Sequence, residues 1–250
     1  MKWRIISPEC NDSTMNMALD ESVMEAIRDK HSPPTIRFYR WKNSSVTIGC
    51  FQNAKKETHY DKCIEDHVQV IRRITGGGAV YNDKDGEITY SLIAPESMMP
   101  NGITESYQLI CGYVVNALGK INISAHFKPI NDIIVTQSGK KISGNAQTRR
   151  QGVLLQHGTL LYDLNVEKMF SYLNVGREKI SDKDIAQVEE RVTCIRNLCE
   201  KSIEETAQAL AESFSEDKEH YIGDFTDAER TRAWQLVEEK YANDSWNLSR

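Results

Sequence analysis

The chain predicts an α+β fold, a mixed and largely antiparallel sheet flanked by helices, with a mostly helical C-terminal part. Two observations carry this expectation. Short β-type runs fill the first two thirds, and several are joined by turn residues such as Asn82-Asp83-Lys84-Asp85-Gly86 instead of whole helices, which disfavours a repeating βαβ order. Beyond about Leu164 the chain turns charged and amphipathic over residues 166–175, 202–214 and 228–241, the helical period. No linker interrupts the 250 residues, so one domain over 1–250 is expected, in keeping with domains of roughly 100–200 residues.

In chain order, residues 13–30 predict the first helix: Met15, Ala18, Leu19, Val23, Ala26 and Ile27 form one stripe, with Asp20, Glu21, Glu25 and Arg28 facing away. β-type runs follow at 35–39, 45–48, 68–72 and 88–93, and residues 94–102 read as weakly structured. A second helix follows Thr104, with Tyr107, Ile110, Cys111, Val114 and Leu118 at helical steps and Gly119 placed as its cap. Two further strands are expected at 132–136 and 153–162.

Composition narrows the function. A net charge of -5 disfavours nucleic acid as the main partner. No apolar run approaches the ~20 residues of a membrane-spanning helix, and the start Met1-Lys2-Trp3-Arg4-Ile5-Ile6-Ser7-Pro8 has no secretion-signal pattern. A cytoplasmic protein without membrane or nucleic-acid partners is expected. The six cysteines, at 10, 50, 63, 111, 194 and 199, show no CxxC spacing and read as reduced thiols.

Three segments could carry chemistry. In Arg72-Arg73-Ile74-Thr75-Gly76-Gly77-Gly78-Ala79-Val80-Tyr81-Asn82-Asp83, three glycines follow a strand directly. Such a run sacrifices backbone entropy unless a tight path or a close ligand compensates. Its free N–H groups could ring an anion that one of the two arginines also reaches; the plainer reading is a hairpin turn with surface arginines. The second segment is Asn131-Asp132 with Lys141-Ile142-Ser143-Gly144. A hairpin would set Lys141 beside Asp132, where a carboxylate could hold Mg²⁺ and a lysine could neutralise phosphate; the plainer reading is a solvated surface hairpin. The third is Gln156-His157-Gly158-Thr159, a polar island in the apolar run Leu154 to Tyr162. A glycine inside a strand marks a bulge or a close neighbour, and His157 read plainly is a satisfied core histidine.

In series these segments closely resemble the lipoate–protein ligase A family, within the group shared with biotin ligases and octanoyltransferases. Asn16-Met17-Ala18-Leu19-Asp20-Glu21, Arg37-Phe38-Tyr39-Arg40-Trp41 and Ile48-Gly49-Cys50-Phe51-Gln52-Asn53 extend the similarity over nearly the whole chain. The resemblance implies a biotin/lipoate-ligase-like, class II synthetase-like sheet and an ATP-dependent ligase. Lipoate would be activated with ATP and Mg²⁺ to lipoyl-AMP, then passed to a lysine on lipoyl domains of 2-oxoacid dehydrogenase E2 subunits or on the glycine-cleavage H protein. By motif position it implies Lys141 as the catalytic cation. Arg73, Thr75, Gly76, Gly77, Gly78, Ala79, Val80, Tyr81 and Asn82 would hold the lipoyl and nucleotide groups, together with Asn131, Asp132, His157, Gly158 and Thr159. Asp132 would orient the metal. The chain departs from the family at Asn82, where a histidine is usual, and reaches Arg250 without residues for the small C-terminal accessory domain, so a separate accessory ligase subunit is implied.

The alternative is an octanoyl- or lipoyl-transferase of the same fold, ATP-independent or using preformed lipoyl-AMP, since residues 144–150 leading to Gln156-His157-Gly158 also resemble the cysteine octanoyltransferases. Those need a thiolate near the lysine. With no cysteine between Cys111 and Cys194, the expectation falls on the ligase. A biotin ligase is disfavoured by Thr75-Gly76-Gly77-Gly78 in place of a basic Gly-Arg-Gly-type loop, and a non-catalytic binding module by the presence of both Lys141 and Asp132.

Overall fold

The computed structural model describes residues 2–174 and 190–250. Its centre is an eight-stranded mixed sheet in the order β11-β1-β2-β6-β10-β9-β8-β7. The strands are β1 (Trp3–Asn11), β2 (Thr35–Trp41), β6 (Glu87–Pro95), β7 (Ala125–Lys128), β8 (Asp132–Val135), β9 (Lys141–Arg150), β10 (Val153–Leu161) and β11 (His220–Gly223). β1 runs parallel to β2 and β11, and the remaining pairings are antiparallel. A second, three-stranded sheet pairs β3 (Ser45–Ile48) with β4 (Gln69–Arg72) in parallel and β5 (Val80–Asn82) antiparallel. The class is α+β, as expected.

One face of the large sheet packs on α4 (Ile103–Lys120) and the helix Ile203–Ser215, burying Ile110, Val114, Leu118, Leu210 and Phe214 against Phe38, Tyr90, Leu92 and Leu154. The other face takes α1 (Ser13–Arg28) and the helix Asp227–Leu236, with Leu19, Val23 and Ile27 meeting Tyr39, Ile93 and Leu155. Alternation along each strand therefore serves two helical layers. Asp12 caps α1 by accepting from the Met15 N–H, and Ser202 and Thr226 each open a capping box, which satisfies otherwise orphaned helix N–H groups.

The differences from expectation have local causes. α1 stops at Arg28, where Lys30 adopts φ 59°. α4 runs through Gly119 to Lys120; the left-handed turn that ends it falls on Asn122, φ 64°, a residue type that tolerates this region. β6 continues to Pro95 across the start of the stretch read as weakly structured. β1, β5, β7 and β11 carried no strand expectation, being short, mixed or exposed; β11 is exposed along Trp3–Ile6. The helix expected at 166–175 is α5 (Val166–Tyr172), and residue 175 lies outside the described residues. Among the described residues no helix is long and apolar enough to cross a membrane.

Candidate functional site

A slot of ≈ 320 Å³ opens between the α1 face of the large sheet and the small sheet, at the lower end of volumes typical for small-molecule sites. Met17, Trp41, Val80, Ala146, Leu161 and Met169 give it apolar walls. Of the residues expected from sequence, Arg73, Gly77, Gly78, Ala79, Val80, Tyr81, Asn82, Asn131, Lys141, His157, Gly158 and Thr159 line it, and Thr75, Gly76 and Asp132 are not among its lining residues.

Lys141 begins β9, its backbone held by N–H to Arg191 O at 2.7 Å and by Thr193 N–H to its own carbonyl at 2.8 Å. Its Nζ lies 2.6 Å from Asp132 Oδ1, with both side chains about one third exposed at the slot. The lysine side chain lies across Gly144, where a Cβ would sit 2.9 Å from Nζ, a contact that the flexible end of the lysine could relieve by shifting. The Asp132 carboxylate is thus paired with an ammonium, and among the described residues no group of three or more acidic, histidine or cysteine side chains gathers where it could hold a metal ion. The Mg²⁺ implied at Asp132 would have this one carboxylate, shared with Lys141, as its protein ligand.

The arginines depart from the surface-turn reading: both are buried. Arg72 donates to the carbonyls of Gly49, Cys50, Gln52, Trp246 and Asn247, tying the C-terminus to the small sheet. Arg73 donates to Gly76 O (2.7 Å), Gly78 O (2.8 Å), Thr47 O (3.1 Å) and Thr75 Oγ1 (3.1 Å). Its guanidinium shapes the glycine loop from within. Burial pulls it down to about 10, still cationic at neutral pH. Gly77 adopts φ 92°, and Gly49 must lack a side chain because a Cβ there would collide with Gly77 O.

Thr75 Oγ1 also meets His157 Nε2 at 2.7 Å, and His157 Nδ1 meets Asp20 Oδ2 at 3.1 Å. Asp20 is salt-bridged to Arg37 at 2.9 Å and accepts from Ser91 Oγ at 2.8 Å. Asn16 adds its carbonyl and Oδ1 to the Arg37 guanidinium. A buried chain therefore runs from α1 through His157 to the glycine loop. Sequence reasoning placed Asp20 on the outer face of the helix; the structure buries it. The signal was present, since Asn16 and Asp20 are one turn apart, where two polar groups share a face.

A second missed group is Glu87, which lines the slot beside Thr89 and Trp41. Its Oε1 accepts from Asn82 Nδ2 at 2.8 Å and Thr89 Oγ1 at 3.2 Å, so the Asn82 side chain is engaged in the wall. The alternation Glu87, Thr89, Ser91 within an apolar strand was the legible sign. Burial pushes the Glu87 carboxyl up to about 8, partly opposed by the hydrogen bonds from Asn82 and Thr89. Because the folded value is raised, the folded state favours the protonated acid, and stability declines as pH rises from the unfolded value near 4.5 toward 8. Glu87→Gln removes that titration. In urea melts its stability relative to wild type should improve by on the order of 3 kcal/mol between pH 5 and 7.5; parallel pH profiles for the two proteins would refute the assignment.

Residues 12–215 match the family described as the lipoyl protein ligase A/B catalytic domain. The chain belongs to this family. Its relatives include the octanoyltransferase LipM of Kyrpidia tusciae, 36% identical over 98% of this chain and 98% of the relative. The octanoyltransferase LipM of Brevibacillus brevis is 32% identical over 100% and 99%. Among solved structures, the bi-partite lipoate protein ligase of Thermoplasma acidophilum, described with its E2 lipoyl domain, superposes with a TM-score of 0.88 at 30% identity, covering 99% of this chain and 96% of that one. The family expectation from the motifs is met. The expectation of an ATP-dependent, lipoyl-AMP-forming ligase is not: the curated relatives matched end to end carry the name octanoyltransferase.

Proposed function

We propose that this chain transfers an eight-carbon acyl group, octanoyl or lipoyl, from an already activated donor to the Nζ of a lysine on a lipoyl domain, without ATP. The observation that carries this reading is Lys141, paired with Asp132, facing an apolar slot of fitting length. Gly144 on β9 and Thr89 on β6 both pair with Thr159 on β10, so they are two strand spacings, roughly 10 Å, apart. That is close to the reach of an extended eight-carbon chain, seven C–C bonds of about 1.5 Å shortened by their zigzag. The carbonyl end lies under Lys141 and the tail toward Thr89 and Trp41. Burying the tail contributes about 0.8 kcal/mol per methylene.

The acceptor amine attacks the acyl carbonyl carbon, the Lys141 ammonium stabilises the oxyanion of the tetrahedral intermediate, and the donor's C–S bond breaks. The departing thiolate takes the proton released by the amine, relayed through the Asp132 carboxylate. This transfer is direct. None of the six cysteines lines the slot. Cys111 accepts from Gln156 on the face of the sheet turned away from it, and burial raises its thiol to about 12, far from a reactive thiolate.

The test is a mass assay with octanoyl thioester on a carrier protein, an apo lipoyl domain and no ATP. The acceptor should gain one octanoyl group, no acyl-enzyme should accumulate, and Cys50→Ser should transfer at the wild-type rate. Product formed only from free acid with ATP and Mg²⁺ would overturn the reading. A thioester adduct on the enzyme would overturn direct transfer. A parallel arm with preformed lipoyl-AMP distinguishes the donor class.

A further inference from the structure

We infer that Asn145 is a positioning residue, held by Tyr90 across the side-chain gap at Gly158, that sets the Asp132–Lys141 pair. The inference rests on the proposed transfer only for its kinetic readout. Tyr90, Gly158 and Asn145 lie in direct register on β6, β10 and β9. The Tyr90 hydroxyl spans the middle strand and donates to Asn145 Oδ1 at 2.6 Å, while Gln156 Nε2 donates to the same hydroxyl at 2.8 Å. A Cβ on Gly158 would collide with Asn145 Oδ1 and come within 2.8 Å of the Tyr90 ring. The glycine inside the polar island is thus explained by the Asn145 and Tyr90 side chains that close over it.

Asn145 passes this constraint on. Its Nδ2 donates to Asn131 O at 2.9 Å, its backbone N–H donates to the same carbonyl at 3.0 Å, and Asn131 Nδ2 donates back to Asn145 O at 2.6 Å. Three hydrogen bonds fix Asn131, and the next residue is Asp132. An ion pair whose side chains are one third exposed contributes only about 0–1 kcal/mol, too little to hold its own geometry. Three bonds at about 0.5–1.5 kcal/mol each, the two side-chain ones part-buried, are enough. The ammonium is thus fixed from two sides, by the clip at Asn131 and by the backbone bonds of Lys141 to residues 191 and 193.

The variants are Tyr90→Phe, Asn145→Ala and the double replacement, with far-UV circular dichroism to confirm folding. Loss of one such bond corresponds to roughly a tenfold fall in kcat, with the KM for the acyl donor held within about twofold. The double variant should be no slower than Asn145→Ala, because the tyrosine acts through the asparagine. A raised KM at unchanged kcat, additive losses, or a lowered melting temperature with wild-type kcat would overturn the assignment. A second readout needs no turnover. Modification of Lys141 by a succinimidyl ester, mapped by peptide mass against Lys201 in the same chain, should quicken by about threefold in Tyr90→Phe as the pair loosens. Equal Lys141 rates would refute the clip, whereas a wild-type protein that transfers from no donor would refute the transferase reading alone.

Discussion

Lys141→Ala is expected to lower kcat for acyl transfer by roughly 10²–10³-fold, the range seen when a single preorganised oxyanion partner is removed, while the fold stays intact. Both side chains of its pair are about one third exposed, so deleting the lysine withdraws only about 0–1 kcal/mol of stability. The loss belongs to the transition state, because the charge on the acyl oxygen develops only there. KM for the donor, governed by burial of the tail, should move by no more than a few-fold. Lys141→Arg should not restore the rate. The ammonium lies over Gly144 as a compact point charge, whereas a guanidinium is a wider planar fork that presents its donors in different directions. Steady-state kinetics with the thioester donor decide the matter. A wild-type kcat for Lys141→Ala, or a tenfold rise in KM at constant kcat, would remove the lysine from the chemistry.

What could be read in advance followed the strength of local signals. The α1 stripe, the strand at 45–48 and the glycine run are dictated by side-chain periodicity and backbone entropy, properties of neighbouring residues. The pairing of Asp132 with Lys141 was also accessible, since a hairpin brings its two arms together whatever surrounds it. Asp20 and Glu87 were not, because their burial depends on strands distant in sequence: Asp20 meets Arg37, Ser91 and His157, and Glu87 meets Asn82 and Thr89. The bonds of Arg73 to its own loop are hidden from sequence for a related reason. A cation next to exposed amides suggests an anion, yet the carbonyls of the same loop turned inward and took its donors. At Gly158 a bulge and a close neighbour are both legible from sequence, and the neighbours are Asn145 and Tyr90, from strands on either side.

The chemistry was the part least determined by motif. Ligases and transferases of this fold share the need for a cation near an acyl carbonyl and an apolar slot, so the shared residues do not separate them. What separates them is how the acyl group is activated, and no residue of the slot records that by type alone. Here end-to-end relatives named octanoyltransferases decide against ATP-dependent activation, and the placement of the cysteines argues for a direct step.

Asp20→Ala should destabilise the protein by about 3–5 kcal/mol, the usual consequence of removing one partner of a buried ion pair. The Arg37 and Asp20 side chains are 0% and 2% exposed, so the guanidinium would keep its charge with no carboxylate beside it. Ser91 Oγ and His157 Nδ1 would each lose a partner as well. At about 2–4 °C per kcal/mol for a domain of this size, the melting temperature should fall by roughly 6–20 °C. Adding Arg37→Met should recover much of it, since a buried pair replaced as a whole by apolar groups is often neutral. The pH dependence follows from the carboxyl being held below its ordinary value of 3.8: burial alone would raise it, but the hydrogen bond from His157 and the Arg37 charge outweigh burial. A depressed folded value means the contribution is complete above the unfolded value and fades as pH drops through the folded one. Wild type and Asp20→Ala should therefore differ fully at pH 6–8 and converge below about 4. Because Asp20 orients His157, and His157 holds Thr75 beside Arg73, the glycine loop should loosen too, visible as faster amide exchange at Gly76, Gly77 and Gly78. An unchanged melting temperature, or a stability gap that widens in acid, would show that the buried carboxylate does not anchor the loop.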